Sequence, residues 1–106
     1  MVIVESPAFS RWRDSELKDD LFGGLVDSLV ADPEAGKLIP GGRGLRKIRI
    51  ALAGRGKRGG ARVIYFFWND EQRLYFLYGY AKNVQTDLTK DQIHYLAKLM
   101  KDEIDG

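Results

Sequence analysis

Apolar and polar positions follow one rhythm at the two ends of the chain and another in its middle. Val2 to Glu5 reads as a short strand that Pro7 ends, because proline cannot donate to a sheet ladder. Phe9 and Trp12 then share one helical face. Leu21, Phe22, Leu25, Leu29 and Val30 recur at helical spacing up to the breaker Asp32-Pro33. Asp19 or Asp20 is expected to open this second helix. Gly23-Gly24 inside it should each cost about 1 kcal/mol relative to alanine, so packing must hold it.

From Leu45 the period changes to two. Ile48, Ile50 and Leu52 point one way while Lys47 and Arg49 point the other, which makes one face core and the other cationic. Gly54 to Gly60 is a glycine-rich turn. Beyond it, Ala61 to Trp68 and Arg73 to Tyr80 form two aromatic-rich strands joined by Asn69-Asp70-Glu71-Gln72, so three consecutive antiparallel strands are expected. The aromatics of these strands are expected mainly in the sheet core. At the end, Thr89 with Gln92 makes a capping box, and Leu88 can staple against Ile93. Ile93, Leu96, Ala97, Met100 and Ile104 form one apolar stripe on this last helix. The order is β-α-α-β-β-β-α, an α+β fold in a single domain over residues 1–106.

Charge changes this picture most. Between Ala35 and Asn69 stand nine basic residues, Lys37, Arg43, Arg46, Lys47, Arg49, Arg55, Lys57, Arg58 and Arg62, with no Asp or Glu among them. The other 8 of the 17 Lys+Arg face all 15 acidic residues, so this stretch carries +9 and the remainder −7. A cationic surface on an acidic body attracts a polyanion whatever the net charge of +2, and nucleic acid is the leading partner class. The absence of cysteine excludes disulfides, thiolate metal sites and a cysteine nucleophile. No apolar stretch approaches the ~18 residues of a membrane span, so a soluble cytoplasmic protein is the default expectation.

The turn Gly54-Arg55-Gly56-Lys57-Arg58-Gly59 spells G-x-G-x-x-G, yet it runs into a strand rather than a helix, and positions 72 to 86 hold no carboxylate. A dinucleotide site is therefore excluded. The turn reads either as a solvated charge run or as a phosphate grip by Arg55, Lys57 and Arg58. The only histidine, His94, lies beside the apolar stripe of the last helix, so neither a histidine triad nor a multi-histidine metal site can form. The carboxylates Asp14, Glu16, Asp19 and Asp20 suit a solvated helix surface. An enzyme built on this chain must work with Lys, Arg and Tyr.

The runs Gly44-Leu45-Arg46-Lys47-Ile48-Arg49, Gly56-Lys57-Arg58-Gly59-Gly60-Ala61-Arg62-Val63-Ile64-Tyr65, Tyr80-Ala81-Lys82-Asn83 and Asp87-Leu88-Thr89 closely resemble the HigB branch of the RelE/ParE toxin superfamily. With the element order, the resemblance covers nearly the whole chain. It implies a microbial-ribonuclease-like fold and the toxin of a bacterial type II toxin–antitoxin pair. It further implies a ribosome-dependent mRNA endonuclease that uses no metal or other cofactor and is neutralised by a HigA-like helix-turn-helix antitoxin. By the same resemblance, Arg62 matches the strand arginine directed at the scissile phosphate. Lys47 and Arg49 match a basic strand pair, and Lys82 falls where the family places another cation. Tyr80 could stack on a base or assist proton transfer, with Lys82 or Lys57 handling protons; Arg46, Arg55 and Arg58 complete the expected RNA-binding set. A ParE-like gyrase inhibitor and a non-catalytic RNA-binding domain stay open as alternatives.

Overall fold

In the computed structural model, which describes residues 1–52 and 60–106, one five-stranded sheet separates two unequal helical layers. The elements are β1 (Val2–Glu5), α1 (Pro7–Glu16), α2 (Asp19–Ala31), β2 (Lys37–Leu38), β3 (Arg46–Ile50), β4 (Ala61–Trp68), β5 (Arg73–Ala81) and α3 (Lys90–Asp105). The spatial order is β1-β5-β4-β3-β2. Strands β2 to β5 pair antiparallel, while β1 runs parallel to β5 at one edge. The two-residue β2 adds an element to the expected order; so short a strand contains no alternation to read. Among the described residues no helix is long and apolar enough to cross a membrane.

Helix α1 begins where proline is tolerated. Ser6 caps it by accepting the Phe9 N–H at 3.0 Å, and Pro7 stands in the first turn, where its missing N–H costs nothing. Helix α2 starts differently from expectation: Lys18 is its N-cap without a side-chain bond, and Asp19 and Asp20 sit in the first turn. There they favour the positive end of the helix dipole. Arg13 ties the start of the fold together through Glu5 at 2.9 Å, Asp19 at 3.3 Å and the ring of Phe22 at 4.5 Å.

Two faces of the sheet carry two cores. Phe9, Leu25 and Leu29 from the first two helices bury Val63, Tyr65, Leu74 and Phe76, with Ile48 and Ile50 at the margin. Gly79 makes this approach possible, because a Cβ there would stand 2.3 Å from the Trp12 ring. On the opposite face Leu96, Ala97 and Met100 of α3 pack against Leu45, Ile64, Tyr75 and Leu77. Between Ile64 and Tyr65 the register shifts: Ile64 opposes Tyr78 but Tyr65 opposes Phe76, so Leu77 forms a β-bulge.

One buried polar group locks the path from α2 into the sheet. The fully buried Tyr65 hydroxyl donates to the Pro33 carbonyl at 2.8 Å and accepts the Gly36 N–H at 2.9 Å. Tyr65→Phe leaves both backbone groups without that partner, and a loss of about 1–3 kcal/mol is expected. Urea denaturation with an unchanged m value checks this; a shift below a few tenths of a kcal/mol would show that water satisfies both groups.

Candidate nucleic-acid interface

Strand pairing assembles the basic residues in rows across one face. Arg49 stands opposite Arg62, and Arg62 stands opposite Tyr80; one step further along, Lys47 opposes Ile64 and Ile64 opposes Tyr78. Directly opposed side chains lie about 5 Å apart at Cβ, and like charges in such a pair are destabilising. Arg62 is buried, at 7% exposure, while Arg49 is exposed. Among the described residues neither arginine makes an ion pair with a carboxylate, and the Arg62 guanidinium reaches only its neighbour's carbonyl, Nη1 to Ala61 O at 3.3 Å. A hollow of about 210 Å³ lined by Arg49, Ile50, Ala51, Gly60 and Arg62 adjoins them. Two facing cations beside a hollow form a seat for an anion.

Tyr80 completes the row with an unused donor. It is 4% exposed, and among the described residues its hydroxyl has no hydrogen-bond partner. Burial above all, then the nearby Asp87 charge, raises its pKa, with Arg62 acting in the opposite direction. The phenol is thus kept protonated, with a buried O–H that no described group accepts.

The segment after β5 runs along the same face. Lys82 is exposed in the turn that follows β5, and its N–H donates to Gly60 O at 3.0 Å. Gly60 has to be glycine for this close join, since a Cβ would meet Ile50 O at 2.3 Å. Further on, Asp87 Oδ1 accepts from Lys47 Nζ at 3.2 Å and from the Leu88 N–H at 2.8 Å. The Leu88 hydrogen bond first, and Lys47 second, hold its carboxyl below the usual aspartate range. The Tyr78 hydroxyl donates to Gln85 Oε1 at 3.3 Å, and Gln92 of the Thr89 capping box joins both, so this segment is bound to sheet and helix together.

This arrangement can bind a phosphodiester and supply donors around it. A cavity of about 500 Å³ between α1 and α3, over Leu77 and Tyr78, has a mainly apolar lining with Arg11 as its one cation.

The family described as the RelE toxin of the RelE/RelB toxin–antitoxin system matches residues 1–105. The chain belongs to the RelE toxin family. Solved structures agree in fold. A double-arginine mutant of E. coli toxin RelE in the free state superimposes with a TM-score of 0.56 at 19% identity, over 93% of this chain and 95% of that one. The intact E. coli RelBE toxin–antitoxin complex contains a chain that superimposes with a TM-score of 0.53 at 19% identity, over 74% of this chain and 92% of that one.

In this RelE-family toxin the structure gathers Lys47, Arg49, Arg62 and Tyr80 on one face, with Lys82 at its end. Arg46 is not among them. It lies on the opposite face, level with Tyr65, where Nη1 donates to Gly36 O at 2.8 Å and Glu34 O at 3.1 Å. Its position in the chain made it look like part of the basic run, but alternation turns it toward the loop that Tyr65 holds. Arg55, Lys57 and Arg58 lie outside the described residues. His94 is exposed on α3. Sequence reasoning gave no role to Asp87 or Gln85, because a polar loop shows no periodicity that would place it over a strand.

Proposed function

We propose that this RelE-family toxin is a HigB-type, ribosome-dependent mRNA endonuclease that cleaves without metal by attack of the RNA 2′-hydroxyl. The observation that carries the proposal is the directly opposed pair Arg49 and Arg62, partly buried, with no carboxylate ion pair among the described residues, beside a buried tyrosine with a spare O–H. Such a juxtaposition costs folding energy and is repaid only when an anion arrives.

The chemistry follows from these groups. The 2′-oxygen bonds to phosphorus as its proton leaves, a 2′,3′-cyclic phosphate forms, and the 5′-oxygen departs with a proton. Arg62 stabilises the negative charge gathering on the non-bridging oxygens, with Arg49 and Lys47 on adjoining phosphates. Tyr80, kept protonated, donates to a phosphoryl or departing oxygen. Removal of the 2′-proton is assigned to Lys82 or to Lys57. Arg55 and Arg58 extend phosphate binding, whereas Arg46 serves the fold. Family membership adds support, since RelE-type toxins include endoribonucleases, and it makes an antitoxin partner part of the proposal: a HigA-like helix-turn-helix protein whose acidic groups gain most by facing the basic surface.

Primer extension on an mRNA translated with and without the protein tests this reading. Induction is expected to produce cuts inside translated regions while plasmid supercoiling stays unchanged. Altered plasmid topology with intact messages would replace the proposal with gyrase inhibition, and ribosome or RNA binding without cuts would leave a non-catalytic binder.

A further inference from the structure

The carboxylate of Asp87 sits where the proposed site needs an anion. Lys47 and Asp87 are 40 residues apart in sequence, yet their ion pair at 3.2 Å closes the segment after β5 onto the basic face. The same carboxylate acts on Arg62 and on Tyr80 through its charge alone, with no hydrogen bond or ion pair to either among the described residues. One negative group thus holds a lysine of the basic row, the kind of cation that an RNA phosphate would take. We propose that Asp87 is an internal stand-in for an RNA phosphate, which holds Lys47 in the empty protein and is displaced from it when RNA binds.

The inference rests on the RNA reading of this face, and three features make an exchange feasible. The pair is partly exposed, with Lys47 at 31% and Asp87 at 68% side-chain exposure, and pairs of this kind contribute little to stability. A phosphodiester carries the same single negative charge as the carboxylate, so the lysine exchanges one partner for another without a change in charge. Asp87 keeps its local anchor, because the Leu88 N–H remains bound to Oδ1 when Lys47 turns away, and the freed carboxylate already faces water. The arrangement also has a selective effect. A ligand that offers too few phosphates to displace the carboxylate gains nothing at Lys47.

Asp87→Asn separates this role from a structural one, since the asparagine Oδ1 still accepts the Leu88 N–H. The probes are a short all-deoxy oligonucleotide, which lacks the attacking 2′-hydroxyl and cannot be cleaved, and inorganic phosphate. Binding of the oligonucleotide to Asp87→Asn is expected to be about three- to tenfold tighter at low salt. Its logarithmic salt dependence should be steeper by up to roughly 0.7, the value for one further phosphate contact on a single strand. In a Lys47→Met background the same substitution should change affinity less than twofold. Equal or weaker binding by folded Asp87→Asn would overturn the proposal, as would a gain that persists undiminished without Lys47. Inorganic phosphate followed by NMR at the Lys47 side chain keeps the two readings apart. Tighter phosphate binding in Asp87→Asn without oligonucleotide binding by any variant would uphold the anion seat and sink the RNA reading. Oligonucleotide binding that ignores residue 87 would do the reverse.

Discussion

Arg62→Ala is expected to lower single-turnover cleavage on programmed ribosomes by about 10²–10³, or roughly 3–4 kcal/mol of transition-state stabilisation. Ribosome association should fall far less, since Lys47 and Arg49 remain on the same face. The fold should survive. Arg62 is buried without an ion-pair partner among the described residues and stands opposite Arg49, so its removal relieves a repulsion rather than breaking a contact. Arg62→Lys should recover only part of the rate, because a lysine is a point charge while the guanidinium fork can hold two phosphate oxygens at once. A circular dichroism melt of each variant accompanies the kinetics. A folded Arg62→Ala protein cleaving at close to the wild-type rate would remove this arginine from the mechanism and direct attention to Lys82, Lys57 and Tyr80.

The largest expected effect on stability lies on the other side of the sheet. Phe9 is fully buried, stacks on Phe76 with ring centroids 5.3 Å apart, and lies 5.8 Å from Phe22 and 5.9 Å from Trp12. It is the point at which α1, α2 and β5 meet. Phe9→Ala should cost about 3–5 kcal/mol, a large share of the roughly 5–15 kcal/mol typical of a whole domain. Three rigid rings cannot collapse into the space it leaves. Chemical denaturation checks this, and a cost below about 1.5 kcal/mol would mean that the aromatic cluster repacks.

Most of the architecture was legible because helices and strands impose different rhythms on the apolar residues. Thr89 and Gln92 marked the start of α3 at the capping box that forms there, and Lys47 and Arg49 fell on the face opposite Ile48 and Ile50 as alternation requires. Other features were hidden for physical reasons. In Tyr75-Phe76-Leu77-Tyr78 every residue is apolar or aromatic, so no contrast reveals which one is extra. Alternation could have excluded Arg46 from the basic face, but its charge argued for membership, and the carbonyls of Glu34 and Gly36 together with the Glu34 carboxylate at 3.8 Å explain a cation on the apolar side. The Lys47–Asp87 pair spans 40 positions, a distance at which sequence alone gives no contact. The parallel pairing of β1 with β5 is likewise a product of tertiary packing.

The bulge at Leu77 gives β5 two frames of sidedness. Before it, odd-numbered Arg73 and Tyr75 face the same way as Phe66 and Trp68; after it, even-numbered Tyr78 and Tyr80 face that way with Ile64 and Arg62. The strand can therefore bury Phe76 beneath α1 and still turn both tyrosines toward the basic row, although all three carry even numbers. In a strand of uniform pleat Phe76 and Tyr80 would share a face, and the two demands would conflict. The extra residue works as a change of parity inside a single continuous strand. One length of chain thereby supplies core to one layer at its start and chemistry to the opposite layer at its end.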